Sequence, residues 1–218
     1  MATRHRTPSQ ALEPAILEAA EALLEETGPG ALSVRRIAER AGVAPMGLYT
    51  RFDGKFGVID ALFQEGFTAL GATMREHAAD PDPLAGFRGA GIAYRVLALA
   101  HPARYGLMFL HAVPGHTPSD EAVATADDAF RALVEVVSRC IDAGDLVAGD
   151  AVEIAQQVWA ACHGWVSLEL GGINFAEDQD GGYERLLDAL VTGLAPPSVQ
   201  RVGTRHRPRR PGNASIDV

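Results

Sequence analysis

Residues 30–55 of the chain read GALSVRRIAERAGVAPMGLYTRFDGK, and this stretch decides the fold. Ser33 is a favourable helix N-cap, and the apolar residues after it recur at helical spacing until Gly42, which suits a tight turn. Pro45 then opens a second short helix, which ends before Gly54. This spacing predicts a helix-turn-helix, whose second helix can lie in the major groove of DNA, although an ordinary helical hairpin has the same pattern.

Helical periodicity continues on both sides of this stretch. One amphipathic helix precedes it, starting anywhere between residues 8 and 14 and stopping at Gly28-Pro29. A long amphipathic helix follows, from Lys55 to about Ala78, and can link two domains. Further helices are predicted over 84–101, 102–112, 118–143, 149–171 and 182–194, and the acidic break at 171–182 is expected to be mobile. No strand-like alternation competes, so the chain is predicted to be all-α.

Charge is distributed unevenly along the chain. The net charge is −9, yet residues 31–57 carry five basic and two acidic side chains. We therefore expect residues 1–57 to be an N-terminal arm with a helix-turn-helix DNA-binding domain. Residues 58–196 are predicted to be a helical ligand-binding and dimerisation domain. Residues 197–218, rich in Arg and Pro, are predicted to be disordered.

Composition and motifs exclude several function classes. No apolar run approaches the roughly 18 to 20 residues of a membrane span, and no secretory signal is recognisable, so a soluble cytoplasmic protein is expected. The sequence has no nucleophile elbow, no phosphate-binding loop, no HExxH motif and no paired carboxylates. We therefore expect no catalytic residues and do not expect an enzyme. The histidines lack metal-ligand spacing, so no metal and no cofactor are expected. Cys140 and Cys162 are interpreted as small buried hydrophobes, with a redox switch as the alternative.

Over about residues 12–63 the sequence resembles the tetracycline-repressor (TetR) family of transcriptional regulators. The matching positions are Ile37, Ala38, Ala41, Gly42, Val43, Leu48, Tyr49, Phe52 and Lys55. The resemblance implies an all-helical dimer that binds an operator in double-stranded DNA. It also assigns phosphate contacts to Tyr49 and Lys55, with Ser33 and the N-terminus of its helix adding backbone donors.

The candidate DNA-contacting residues extend beyond these two side chains. The full set is Ser33, Arg35, Arg36, Pro45, Met46, Gly47, Tyr49, Thr50, Arg51 and Lys55. Each arginine suits a phosphate or a guanine edge, and each equally suits a solvated helix face. Met46 and Thr50 are expected to touch thymine methyl groups. The residues Arg4 and Arg6 form either a DNA-contacting arm or an unstructured terminus.

Reading two half-sites requires two copies of the recognition helix, which predicts a homodimer. In TetR-like proteins the last two helices usually form the interface. The predicted interface residues are Ile154, Val158, Ala161, Trp165, Leu168, Leu186, Leu187, Leu190 and Leu194.

The C-terminal part also resembles a TetR subgroup named for a Trp-His-Gly motif, through residues 101–109 and 159–170. A ligand pocket between helices should be apolar and aromatic with a few polar groups. The candidate pocket residues are Tyr94, His101, Tyr105, Met108, Phe109, His111, Trp159 and His163; ordinary core positions are the alternative. The hypothesis is a repressor that a small molecule releases from a palindromic operator. An activator remains open, and the alternative function is sequence-indifferent nucleic-acid binding through the basic tail.

Overall fold

The structure is a computed structural model that describes residues 12–110 and 113–197. These residues form nine α-helices and no strand, which confirms the predicted all-α class. The helices are α1 (Leu12–Thr27), α2 (Val34–Ala41), α3 (Pro45–Phe52), α4 (Lys55–Ala78), α5 (Pro83–Ala100), α6 (Pro102–Phe109), α7 (Asp120–Ala143), α8 (Ala151–Leu170) and α9 (Gln179–Leu194). A 3₁₀ turn, Pro29–Ala31, joins α1 to α2.

The turn between α2 and α3 follows from its sequence. The Ser33 hydroxyl accepts the N–H of Arg36 at 3.3 Å and caps α2, as predicted. Gly42 ends α2 in the left-handed conformation, with φ of 68°, where a Cβ would be strained. Ala44 precedes α3 without a side-chain cap, so Pro45 alone favours the start of that helix. The two helices therefore cross at a short, fixed turn.

Two predicted boundaries were wrong. The break after α8 was expected to last until residue 182, but α9 begins at Gln179 because Asp178 accepts the N–H of Gly181 at 2.9 Å. The helix predicted over 102–112 ends at Phe109. His111, the N-terminal arm with Arg4 and Arg6, and residues 198–218 lie outside the described residues.

One apolar core holds the N-terminal helices together, and it extends beyond residue 57. Val58, Ile59 and Leu62 of α4 are fully buried among residues of α1, α2 and α3. Leu107 of α6 and Val113 after it join the same cluster. The helix-turn-helix is therefore packed directly against a helix of the C-terminal part.

A second core fills the space between the end of α4 and helices α5, α7, α8 and α9. Cys140 and Cys162 lie in it and are free and buried, which confirms their interpretation as small hydrophobes. Burial raises the pKa of the Cys140 thiol to about 11, so the unreactive protonated form dominates at neutral pH. Over the described stretch, no helix has the length and hydropathy needed to cross a bilayer.

The same core corrects part of the predicted dimer interface. Ile154, Val158 and Leu187 are buried within the protomer, at 6 %, 5 % and 2 % exposure. The prediction was wrong for these three residues because helical periodicity does not separate a face buried in the protomer from one buried in a dimer. The other six predicted residues are partly or well exposed.

α3 and α4 approach each other closely at Gly57. A Cβ on Gly57 would overlap the carbonyl group of Phe52, the last residue of α3. Only glycine lets the first turn of α4 pass so near the end of α3. The end of α3 and the start of α4 are therefore in direct backbone contact.

We expect Gly57→Ala to destabilise the protein by at least about 2 kcal/mol, because the added methyl group must push the two helices apart. The free energy of unfolding in urea, at fixed protein concentration, measures the effect. Gly30→Ala is the matched control, since a Cβ there meets nothing within 4 Å. Equal stability of both variants and the unmodified protein would contradict the close approach.

Candidate nucleic-acid interface and internal pocket

The outer face of α3 carries exposed side chains of the kind expected to read DNA. Met46 is 69 % exposed and Tyr49 is 53 % exposed. The Thr50 hydroxyl donates to the carbonyl of Met46 at 2.8 Å, so its methyl group is the part left for an outside contact. Pro45 is exposed, whereas Gly47 faces α1 next to Leu12.

The candidate arginines are in different situations. Arg35 is exposed on α2. Arg36 donates to the carbonyl of Ala31 at 3.0 Å, and Arg51 pairs with Glu13 of α1 at 2.6 Å. Arg36 and Arg51 thus have partners within the protomer, while Arg35 is exposed.

Tyr49 and Lys55 lie on one edge of the helix-turn-helix. A Cβ at Gly54 would come within 3.3 Å of the Tyr49 ring, so this ring packs on the turn just before Lys55. The Lys55 ammonium sits 4.7 Å from the centre of the Phe56 ring. This edge therefore carries an ammonium and a phenol, the two groups expected to contact phosphates.

An internal cavity of about 470 Å³ lies between α4, α6, α7 and α8. Its wall is mainly aromatic and aliphatic: Phe63, Phe67, Leu70, Met74, Tyr94, Met108, Phe109, Ala126, Ala129, Phe130, Leu133 and Trp159, with Asp127 and Gln156. Three residues predicted for the pocket, Tyr94, Met108 and Phe109, also line a second, smaller cavity. We call the larger cavity the main lobe and the smaller one the side lobe.

The side lobe measures about 80 Å³ and lies between α4, α5 and α6. His101, Arg104 and Tyr105 contribute to its wall, and a Cβ on Gly66 would meet the Met108 sulfur at 2.5 Å. The Arg104 guanidinium lies 2.5 Å from a Glu21 oxygen on α1. The side lobe is therefore connected by an ion pair to the first helix of the helix-turn-helix domain.

A small polar cluster lies behind Tyr94 and Tyr105, which line the pocket. The Tyr105 hydroxyl lies 2.6 Å from His163 Nδ1, and that of Tyr94 lies 3.1 Å from the same atom. Ser167 Oγ is 3.3 Å from His163 Nε2. Burial lowers the pKa of His163 and raises the pKa of both tyrosines, so all three are neutral at physiological pH. The cluster offers uncharged hydrogen-bonding groups beside apolar walls.

Sequence reasoning missed part of this pocket. Phe63, Phe67 and Phe130 were not among the residues predicted for the pocket. Arg104 was also missed, although its place one helical turn before Met108 puts both residues on one face of α6. Tyr94, His101, Tyr105, Met108, Phe109 and Trp159 do line the two lobes, and His163 contacts two of them.

Comparison with known proteins identifies the family. The family "Bacterial regulatory proteins, tetR family" matches residues 16–62, and "Tetracyclin repressor-like, C-terminal domain" matches residues 87–190. The tetracycline repressor protein class A from transposon 1721 of Escherichia coli is 33 % identical over 170 residues, covering 78 % of this chain and 72 % of the repressor. The chain belongs to the TetR family.

Solved structures agree with this assignment. A protein of unknown function from Rhodococcus sp. RHA1 has a TM-score of 0.76 and 30 % identity, over 88 % of this chain and all of that one (100 %). SmeT, solved in complex with triclosan, has a TM-score of 0.66 over 93 % of this chain and 100 % of SmeT; at 20 % identity it shows the shared fold alone. This TetR-family chain is a DNA-binding transcriptional regulator, and binding through the basic tail alone is not favoured.

Stability of this TetR-family protein should depend on pH through His163. Because burial lowers its pKa in the folded state, the unfolded chain binds more protons as the pH falls through about 6.5, and the free energy of unfolding decreases. His163→Gln cannot take up this proton. We therefore expect the variant to lose less stability between about pH 7.5 and about pH 5.5.

Urea unfolding at several pH values, at fixed protein concentration, tests this expectation. His77→Gln is the matched control, because His77 contacts the α5 surface near Gly89 and not the pocket. A pH dependence in His163→Gln that equals that of the unmodified protein would contradict a neutral, desolvated His163.

Proposed function

We propose that this protein is a homodimeric repressor that leaves a palindromic operator when a small molecule fills the two lobes of the pocket. The observation that carries the proposal is the double role of α6. Tyr105, Met108 and Phe109 of this helix line the pocket, whereas Leu107 is buried in the N-terminal core. A displacement of α6 by a ligand therefore moves a part of the core that holds the reading helices.

Two further contacts transmit such a displacement. Arg104 of α6 pairs with Glu21 of α1, and its side chain also lines the side lobe. Met108 packs on Gly66 of α4, at the boundary between the two lobes. A ligand that spans both lobes must move Met108, and α6 then pulls α1 or breaks its ion pair. Release of DNA requires only that the ligand prefer this second arrangement.

The candidate DNA contacts belong to the proposal. Tyr49 and Lys55 are assigned to phosphates, and Met46, Thr50 and Arg35 to the floor or rim of the major groove. Pro45 and Gly47 position α3, and Ser33 presents the N-terminus of α2 to a phosphate. Arg36 and Arg51 bind DNA after exchange of their internal partners.

The dimer is proposed to form through α8 and α9. Leu168 is 45 % exposed on α8, and Gly164, one turn before it on the same face, is also exposed; a Cβ added to Gly164 would meet nothing within 4 Å. The acidic loop after α8 adds Ile173 and Phe175, at 56 % and 96 % exposure. An exposed apolar surface around a glycine permits the helix of a second copy to pack closely.

Selection of bound sequences from a random DNA pool tests the proposed operator without knowledge of the effector. We expect a palindrome whose half-sites are about 34 to 36 Å apart, as a two-fold dimer requires. Recovery of no common sequence would contradict the proposal. Compounds found by thermal shift are then added to the operator complex; undiminished DNA affinity in the presence of every bound compound would contradict ligand-driven release.

Lys55→Ala should weaken binding to all DNA sequences by a similar factor, about fivefold, because a phosphate contact carries no sequence information. The slope of log affinity against log salt should decrease by about 1. Fluorescence anisotropy with the operator and a scrambled duplex measures both effects. The matched control is Arg88→Ala, since Arg88 lies on α5 and pairs with Asp188 of α9, outside the helix-turn-helix. An unchanged salt slope would speak against the assigned contact.

Gly164→Arg should produce a folded monomer. The protomer has open space at this position, and arginine is a better helix former than glycine, so folding is not impaired. A charged side chain in the proposed interface blocks the close approach of the second copy. Analytical ultracentrifugation measures the mass of the variant in solution, and circular dichroism measures its helix content. The control is Ala124→Arg, at an exposed position of α7. A variant that remains dimeric would place the interface elsewhere.

A further inference from the structure

Among the residues described, the wall of the main lobe contains an acidic side chain and no basic one. Besides Tyr94, the described wall contains the aromatic rings of Phe63, Phe67, Phe109, Phe130 and Trp159. The ionisable side chain among these wall residues, apart from the phenol of Tyr94, is the carboxylate of Asp127, and no lysine or arginine takes part. Aromatic faces and a carboxylate both attract positive charge.

The basic groups that line the side lobe are already paired with carboxylates. Arg104 lines the side lobe, but Glu21 lies 2.5 Å and Glu65 lies 3.6 Å from its guanidinium. His101, also in that wall, lies 3.3 Å from Glu21. An anionic ligand in the side lobe would therefore have to displace a carboxylate that is itself largely buried, at 15 % side-chain exposure, and leave it unpaired.

The rim of the main lobe shows the same bias. Arg75 of α4 pairs with Asp128 of α7, the neighbour of Asp127. Asp127 itself makes no ion pair among the residues that the structure describes, and its side chain remains exposed at the opening. Burial keeps His163 uncharged behind the aromatic wall. Thus the charge within the wall of the main lobe itself is negative, and the exposed Arg131, one turn after Asp127 on α7, is not part of that wall.

We propose that the effector of this protein is a lipophilic cation, an organic molecule whose aromatic groups surround a single positive charge. The rings of Phe109, Phe130 and Trp159 hold its apolar groups and face its charge, and the carboxylate of Asp127 neutralises that charge at the rim. A cavity of about 470 Å³ is in the range that accepts a molecule of drug size. This inference rests on the proposed effector role of the pocket and adds the chemical class of the effector.

Tetraphenylphosphonium and tetraphenylborate are suitable probes, because they have nearly the same shape and opposite charge. Isothermal titration calorimetry of the full chain with each ion should show at least about tenfold tighter binding of the phosphonium ion. Equal affinity, tighter binding of the borate, or binding of neither ion would overturn the proposal.

Variants of two adjacent acidic residues locate the charge effect. Asp127→Asn should weaken phosphonium binding by about threefold to tenfold, and the loss should shrink at high salt. The double variant Arg75→Gln/Asp128→Asn is the matched control, since it removes the neighbouring ion pair without changing the net charge, and it should change the affinity by less than about twofold. An equal effect of Asp127→Asn and of the double variant would overturn the role of Asp127.

Trp159 reports whether the ion enters the main lobe. The chain has two tryptophans, so Trp165→Phe leaves Trp159 as the single indole. Titration with the phosphonium ion should change the fluorescence of Trp159, and the affinity from this titration should equal the affinity from calorimetry. Phe130→Leu should lower the affinity in both measurements. A calorimetric signal without any change in Trp159 fluorescence would place the ion outside the pocket and overturn the proposal.

The operator complex separates this inference from the proposed repressor mechanism. Phosphonium binding at the pocket that leaves operator affinity unchanged would contradict ligand-driven release while the preference for cations stands. Release of DNA by a neutral or anionic compound that binds in place of the phosphonium ion would have the opposite meaning. It would support the repressor mechanism and overturn the assignment of the effector class.

Discussion

Burial of α4 along nearly its whole length is the constraint on which the rest of the structure depends. Val58 and Leu62 belong to the N-terminal core, Phe63 and Phe67 to the wall of the main lobe, and Met74 to the C-terminal core. A single helix thus takes part in every apolar cluster of the described chain. Because a helix is stiff over this length, α4 holds both the helix-turn-helix and the pocket in place. The elements that can move relative to α4 are α6 and α1.

The polar groups of the interior are concentrated where a ligand would meet them. Tyr94, Tyr105, His163 and Ser167 satisfy one another beside the pocket, and the Arg104 ion pair with Glu21 lies at the side lobe. Away from the pocket the buried polar groups are paired: Arg95 binds Glu169, and the Tyr183 hydroxyl donates to the carbonyl of Gly91 at 2.8 Å. Ligand binding therefore acts on hydrogen bonds and ion pairs that have alternative partners, while the apolar framework keeps its packing.

Sequence reasoning reached the fold because helical period and end signals act locally. Gly42 and Lys55 marked boundaries that the structure confirms, and the family signature predicted the reading surface. Properties that depend on distant partners were not accessible. The ion pair of Arg51 joins residues that are 38 positions apart, the assignment of Leu187 to the protomer core required the position of α5, and Phe130 faces the pocket only because α7 lies along α4.

Leu107 and Val113 have a consequence for the exchange of parts between regulators. A hybrid that joins residues 1–57 to a foreign sensing domain keeps the reading helices but removes these two side chains, with Val58, Ile59 and Leu62, from their core. The grafted residues 1–57 would then pack against a surface whose side chains do not fit their core. Hybrid regulators, from evolution or from biosensor engineering, therefore need more than residues 1–57 from one parent. They must also take the first turns of α4 and the inner face of α6 from that parent, although α6 lies some 40 residues further along the chain.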